Sequence, residues 1–344
     1  MKIQTSNADH GTTPTSSQQK STAEKTIRES ESHGTGSAHR INRSYSMKVL
    51  VTGASSLPGH RTALELANKG HQVFALYFTH DIPAGEENLT KIRVDITNYN
   101  NLSKVFEQCT PEAVIHMAAY GDVDGCERNP ALAWEVNVKG TINVVNLASK
   151  HSEYLLYLST DYVFDGLKGG YSELDAPKPV NYYGLTKLCG EIAVLSSNLK
   201  HSVVRASSIY GIGPGRKNFA KFLIEKLSSG ENIRALTDQY TSPTQASLLA
   251  EAIVEIIEHG YTGIFHIVGE RMSRYEFALR LAETFNFNKN LINEARMEEF
   301  EWFAARPRDS SLTCNFTRNT LKTDFYSTEK ALKVLKREYE EASR

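Results

Sequence analysis

From Val49 onward the chain alternates between two apolar rhythms. Short runs rich in apolar residues read as strands: VLV (49–51), HQVFALY (71–77), KIRVDI (91–96), EAVIHMAA (112–119), YLLYLST (154–160) and SVVRAS (202–207). Between them, at about 98–109, 130–150 and 182–197, apolar residues recur at the spacing of a helix face. Strands joined by crossover helices predict a parallel, doubly wound sheet with right-handed connections. After residue 210 helical patterns follow at 217–229, 245–258, 273–285 and 327–341, with the short strands IRAL and GIFHIV between them.

The predicted fold class is therefore α/β: a Rossmann-type sheet over residues 47–210, with a smaller α/β substrate-binding cap drawn mainly from 211–344, some segments returning to the sheet. Ligands of such sheets bind beyond the carboxyl ends of the strands. Residues 1–46 are rich in Ser, Thr, Gln, Asn and Gly, with isolated Ile3, Ile27 and Ile41, and are expected to form a disordered tail. Met47 stands just before the first strand as an alternative start, and Asp9, Glu24, Glu29 and Glu31 argue against a transit peptide.

Charge and composition narrow the partners. A net charge of -1 over 344 residues gives no pull toward nucleic acid or an anionic membrane. No run reaches the roughly 18 to 20 apolar residues of a membrane span. The four cysteines, Cys109, Cys126, Cys189 and Cys314, lack C-x-x-C spacing, so neither zinc nor a disulfide framework is expected, and a reducing cytoplasm fits. The histidines show no metal-ligand spacing, and a homodimer is compatible with the sequence.

Candidate chemistry sits at strand ends. VTGASSLPG (51–59) has the strand–turn–helix shape that offers a helix N-terminus to a pyrophosphate, with Ser56 where a central glycine is expected. Gly53, Ser55, Ser56, Leu57, Pro58 and Gly59 are the candidate contacts, and the Ser56 hydroxyl is a candidate donor to a phosphate oxygen. Asp95 and Ile96 suit an adenine, and Met117, Ala118 and Ala119 allow close approach to a backbone. Tyr183 and Lys187, four apart in NYYGLTKLCGE, share a helix face, where an ammonium favours the phenolate of a tyrosine. Ser159 and Thr160 end a buried strand, and a hydroxyl there can hydrogen-bond a carbonyl whose charge grows as hydride arrives. The segment Tyr77-Phe78-Thr79-His80 lacks the carboxylate that reads a 2′-hydroxyl, which favours NADP(H) and leaves NAD(H) open.

Together these elements resemble the extended short-chain dehydrogenase/reductase superfamily across almost everything after Met47. Within it, STDYVFDG, PVNYYGLTKLCGE, DQYTSPT (238–244) and RPRDSSL (306–312) resemble the dTDP-4-dehydrorhamnose reductase family. The resemblance implies that Tyr183 protonates the oxygen of a nucleotide-sugar 4-ketone while NAD(P)H delivers hydride. It further implies that Lys187 holds the nicotinamide ribose, that Thr160 completes the triad with Ser159 beside it, and that Asn137 supports contacts around the lysine. Val123, Tyr162 and Phe164 match positions near the sugar, and Ser208 stands where such reductases frequently carry Trp.

Thr160 is followed by Asp161 and Tyr162 rather than by an Asp-Glu pair, so reduction is expected over dehydration. Epimerisation remains an alternative. YVFDG, YGLTKL and GIFHIVGERMSRYEFA also resemble the regulatory β subunit of methionine adenosyltransferase, an NADP binder that acts through a partner.

Overall fold

The computed structural model describes residues 46–83 and 87–344. The tail expected over 1–46 lies, apart from Ser46, outside the described residues.

The first half builds β1 (Lys48–Thr52), α1 (Leu57–Asn68), β2 (Gln72–Tyr77), β3 (Leu89–Arg93), α2 (Tyr99–Cys109), β4 (Ala113–His116), α3 (Thr141–His151), β5 (Tyr154–Thr160), α4 (Tyr182–Leu195) and β6 (Lys200–Ala206). The second adds α5 (Phe219–Ser228), β7 (Ile233–Leu236), β8 (Tyr240–Thr241), α6 (Ala246–His259), β9 (Gly263–His266), β10 (Met272–Ser273), α7 (Arg274–Phe285), β11 (Ile292–Ala295) and α8 (Thr328–Ala342).

Seven strands form one parallel sheet in the order β3-β2-β1-β4-β5-β6-β9. All of β4 and β5 are buried, as near-continuous apolar runs require when helices cover both faces. Leu102, Phe106, Val144 and Leu147 of α2 and α3 pack on one face; Ala63 and Leu66 of α1 pack with Leu249, Ile253 and Ile256 of α6 on the other. Strand order reverses between β1 and β4, which opens a crevice beyond their carboxyl ends.

The sequence pattern and the structure differ at several ends. The 91–96 run leaves the ladder after Arg93, because Asp95 Oδ1 turns back to accept from Thr97 N at 2.9 Å. The 112–119 run likewise stops at His116. The helix over 130–150 is broken into Pro130–Trp134, a π-helical turn Glu135–Gly140 carrying Asn137, and α3; such turns recur at functional sites. Of the cap helices, α6 instead lies along α1, and GIFH extends the main sheet as β9. The smaller layer pairs β7 with β11 in parallel and β8 with β10 antiparallel. Among the described residues no helix is long and apolar enough to cross a membrane.

Candidate active site

The candidate nucleotide loop follows β1. Gly53 has φ +71°, and a Cβ there would lie 2.6 Å from Ala118 N, so this glycine lets two strand ends close together. Ser56 is the N-cap of α1: Oγ accepts from Gly59 N at 3.2 Å and donates to Gly53 O at 2.7 Å. That corrects the expectation for its hydroxyl, whose proton is spent inside the loop rather than left for a phosphate. Pro58, in the first turn, has no N–H to offer. The N–H groups of Ser55 and Leu57 have no acceptor among the described residues, the condition an anion at a helix N-terminus needs. Gly215, at φ +93°, stands over this end; a Cβ on it would lie 3.2 Å from Leu57 N.

On the adenosine side, Asp95 Oδ1 is occupied by Thr97 N and Oγ1, while Oδ2 has no partner among the described residues. Ile96 is buried against Gly140. Parallel register sets Arg93 beside Tyr77 at the end of β2, where its Nε donates to Phe78 O at 3.1 Å. Arg93 was not singled out from sequence; only the strand pairing brings this cation to the place where a 2′-phosphate is read. Thr52 Oγ1 accepts from Met117 N (3.1 Å) and Ala118 N (3.2 Å), fixing the backbone after β4, and Ala119 beyond it is exposed.

At the other side of the crevice, Asn181 caps α4, accepting from Gly184 N at 2.8 Å. Gly184 is needed because a Cβ would overlap Tyr162 O. Lys187 is 3% exposed; its Nζ donates to Leu158 O at 2.7 Å and sits 4.1 Å from the centroid of the Tyr157 ring. Two of its three N–H bonds have no acceptor among the described residues, so the side chain fits a ribose diol. Burial pushes its pKa down to about 7, with Glu191 pulling upward. Tyr183 meets Tyr162 edge to face, ring centroids 6.2 Å apart. Burial and then the Asp161 carboxylate drive the Tyr183 phenol upward, and the Thr160 hydroxyl works against them. Burial and Asp161 thus act toward keeping the proton on the phenol, the form in which Tyr183 is expected to serve as the acid.

Neighbours along a strand point to opposite faces. Thr160 Oγ1 turns toward the site, accepting from Tyr162 N at 3.2 Å. Ser159 Oγ turns away, donating to Glu191 Oε1 at 2.5 Å, so its expected cofactor contact is not what the structure places there. Asn137 accepts from Tyr120 N (2.7 Å) and donates to Tyr120 O (3.2 Å) and Thr186 Oγ1 (3.0 Å), holding the backbone and the helix residue next to Lys187. Phe164 is fully buried, stacked on Tyr171 at 4.3 Å, and does not face a sugar.

On the substrate side Val123 opens the short helix Val123–Arg128, half-buried. Ser208, at φ +42°, lines a small cavity with Tyr210, Phe219, Thr241, Arg274 and Phe277. Burial raises the pKa of the Tyr162 phenol, and the charges of Arg274 and Arg306 work against it. Arg306 pairs with Asp124 at 2.9 Å, and Arg274 Nε donates to Gln239 Oε1 at 2.6 Å. Neither arginine was legible as a site residue, because each arrives from more than a hundred residues downstream of Tyr162. Among the described residues no His, Cys, Asp and Glu cluster is arranged to hold a metal ion.

Comparison with known proteins fits this geometry. The family described as RmlD substrate binding domain matches residues 47–340. A probable low-salt glycan biosynthesis reductase of Haloferax volcanii is 32% identical over 77% of this chain and 89% of its own length. The methionine adenosyltransferase 2 subunit beta of Pongo abelii is 30% identical over 78% and 80%. The structure of dTDP-4-dehydrorhamnose reductase from Bacillus anthracis in complex with NADP superposes with a TM-score of 0.75 at 30% identity, covering 86% of this chain and all of that one. The chain belongs to the RmlD substrate binding domain family, a family of NAD(P)-dependent oxidoreductases.

Proposed function

We propose that this protein reduces the 4-ketone of a nucleotide sugar, dTDP-4-dehydrorhamnose to dTDP-rhamnose, with NADPH preferred over NADH. One observation carries the reading: α4 presents the phenol of Tyr183 and, one turn later, a buried lysine with unspent N–H groups, beside the end of β5. The Ser55 and Leu57 N–H groups, Asp95 and Lys187 are suited to hold the dinucleotide, and Arg93 its 2′-phosphate. When bound, the cofactor supplies hydride for the carbonyl carbon. Tyr183 holds the proton for the carbonyl oxygen, and Thr160 stands beside it as a second hydrogen-bonding group.

The test mixes the protein with NADPH and enzymatically generated dTDP-4-dehydro-6-deoxy-L-mannose and follows absorbance and sugar product. Turnover is expected; tight NADPH binding without oxidation would sink the reading. Tyr183→Phe should lower kcat about 10²- to 10⁴-fold with NADPH affinity unchanged. Arg93→Ala should weaken NADPH about tenfold, the loss of a charge-assisted phosphate contact, and leave NADH unchanged. Equal loss for both cofactors would remove Arg93 from 2′-phosphate recognition.

A second reading, a regulatory NADP binder, is supported by the 30% identity to the methionine adenosyltransferase subunit. It predicts binding with no sugar turnover. An epimerase would convert the sugar with no net NADPH consumed.

A further inference from the structure

Asp161 is 2% exposed and forms no ion pair among the described residues. Its partners are hydroxyls. Oδ2 accepts from Ser207 Oγ at 2.8 Å and from Ser310 Oγ at 2.5 Å, and Oδ1 lies 3.1 Å from Thr160 Oγ1. Thr160 Oγ1 also accepts from Tyr162 N. A hydroxyl has one proton and two lone pairs, and an ionised carboxylate only accepts. With Asp161 ionised, Thr160 must spend its proton on Oδ1 and has nothing to donate to a substrate oxygen. With a proton on Oδ1 the count closes. Asp161 then donates to Thr160, both Thr160 lone pairs are filled by Tyr162 N–H and Asp161 O–H, and its proton turns outward. Oδ2 keeps both serines in either state.

We propose that Asp161 is a positioning residue that works in its neutral form, orienting the Thr160 hydroxyl to donate to the substrate carbonyl oxygen as negative charge develops there. The inference rests on the reductase reading for its substrate. Neutral Asp161 also removes a charge that opposes proton loss from Tyr183. Burial favours this form, and the three hydroxyls oppose it. The groups facing this cluster are Tyr183 of α4, Tyr162 next in the chain, Ser207 after β6 and Ser310 of the RPRDSSL block; Arg274 and Arg306 act on Tyr162 beyond it.

Asp161→Asn keeps the pattern in a state that cannot ionise, its amide NH₂ toward Thr160 and its oxygen toward the serines. In the unaltered protein kcat should show a fall as pH rises through the Asp161 ionisation, separate from the step that Lys187, lowered to about 7, contributes and that both proteins share, with KM little changed. Asp161→Asn should retain turnover within severalfold and lose that fall, whereas Asp161→Ala should lose about 10²-fold in kcat. An Asp161→Asn protein that binds NADPH normally but is as inactive as Asp161→Ala overturns the proposal, as does one that keeps the fall. A second measurement needs no substrate: infrared difference spectra between the unaltered protein and Asp161→Asn should contain the C=O stretch of a neutral carboxylic acid. Ser310→Ala should move the loss of that band to higher pH, because it removes a donor to the ionised form. No such band at any pH where the protein is folded overturns the proposal; the band present without sugar turnover supports neutral Asp161 and sinks the reductase reading instead.

Discussion

Two buried carboxyl groups flank the end of β5 and are treated in opposite ways. Glu191, 1% exposed, faces Arg205 in a two-point pair, Nε to Oε1 at 2.9 Å and Nη2 to Oε2 at 2.7 Å, and accepts from Ser159. Arg205 is itself held 5.1 Å over the Phe164 ring and 3.4 Å from His266 Nε2. Asp161 meets only Thr160, Ser207 and Ser310. A guanidinium fixes a negative charge permanently; hydroxyls serve a charged and a neutral carboxyl alike. Strand alternation delivers Ser159 to the first and Thr160 to the second, so one face of β5 carries a fixed charge and the other an adjustable one.

The largest expected effect breaks the first arrangement. Arg205→Met leaves Glu191 buried without its cation and should cost about 3 to 5 kcal/mol in urea unfolding. Replacing both partners, Glu191→Met with Arg205→Met, should recover most of that. A small loss for Arg205→Met alone would mean that Glu191 is supported by something other than its guanidinium.

A smaller effect sharpens the second. Asp161 has a raised pKa in the fold, so the unfolded chain gives up this proton first, near the ordinary aspartate value of about 4. Above that pH the folded protein binds more protons, and this group makes stability fall with rising pH until the folded carboxyl ionises too. The stability gained by Asp161→Asn should grow with pH across that window, by at most about 1.4 kcal/mol per pH unit, and then level off. A gain that does not change with pH would show that Asp161 ionises alike in both states.

Much of this was legible in the sequence, for reasons that are local. Apolar runs marked the central strands of the main sheet, the edge strand β3 was caught only at its end, and the four-residue step from Tyr183 to Lys187 fixed their shared face. What escaped depended on contacts between distant segments. Ser56 looked available until its proton was seen to go to Gly53 O, a contact within the turn that the sequence did not specify. Ser159 and Thr160 looked equivalent, yet period-two alternation, applied strictly, separates them. Arg93 needed the β2–β3 register, and the Asp161 cluster needed Ser310, 149 residues away. No local pattern contains such pairings.

One contact couples the loop after β1 to the order in which the chain is made. Arg61 of α1 holds Ile212 O with Nε at 3.1 Å and Nη2 at 2.5 Å, and so fastens the start of the segment that carries Gly215 over the α1 N-terminus. Arg61 is braced in turn by Glu338 of α8, at 3.2 Å, a carboxylate that also accepts from Gln245 and Ser247. A nascent chain emerging from the ribosome thus has every strand of its main sheet before it has the residue that steadies Arg61. Among the described residues, the first helix of the fold takes its final brace from the last.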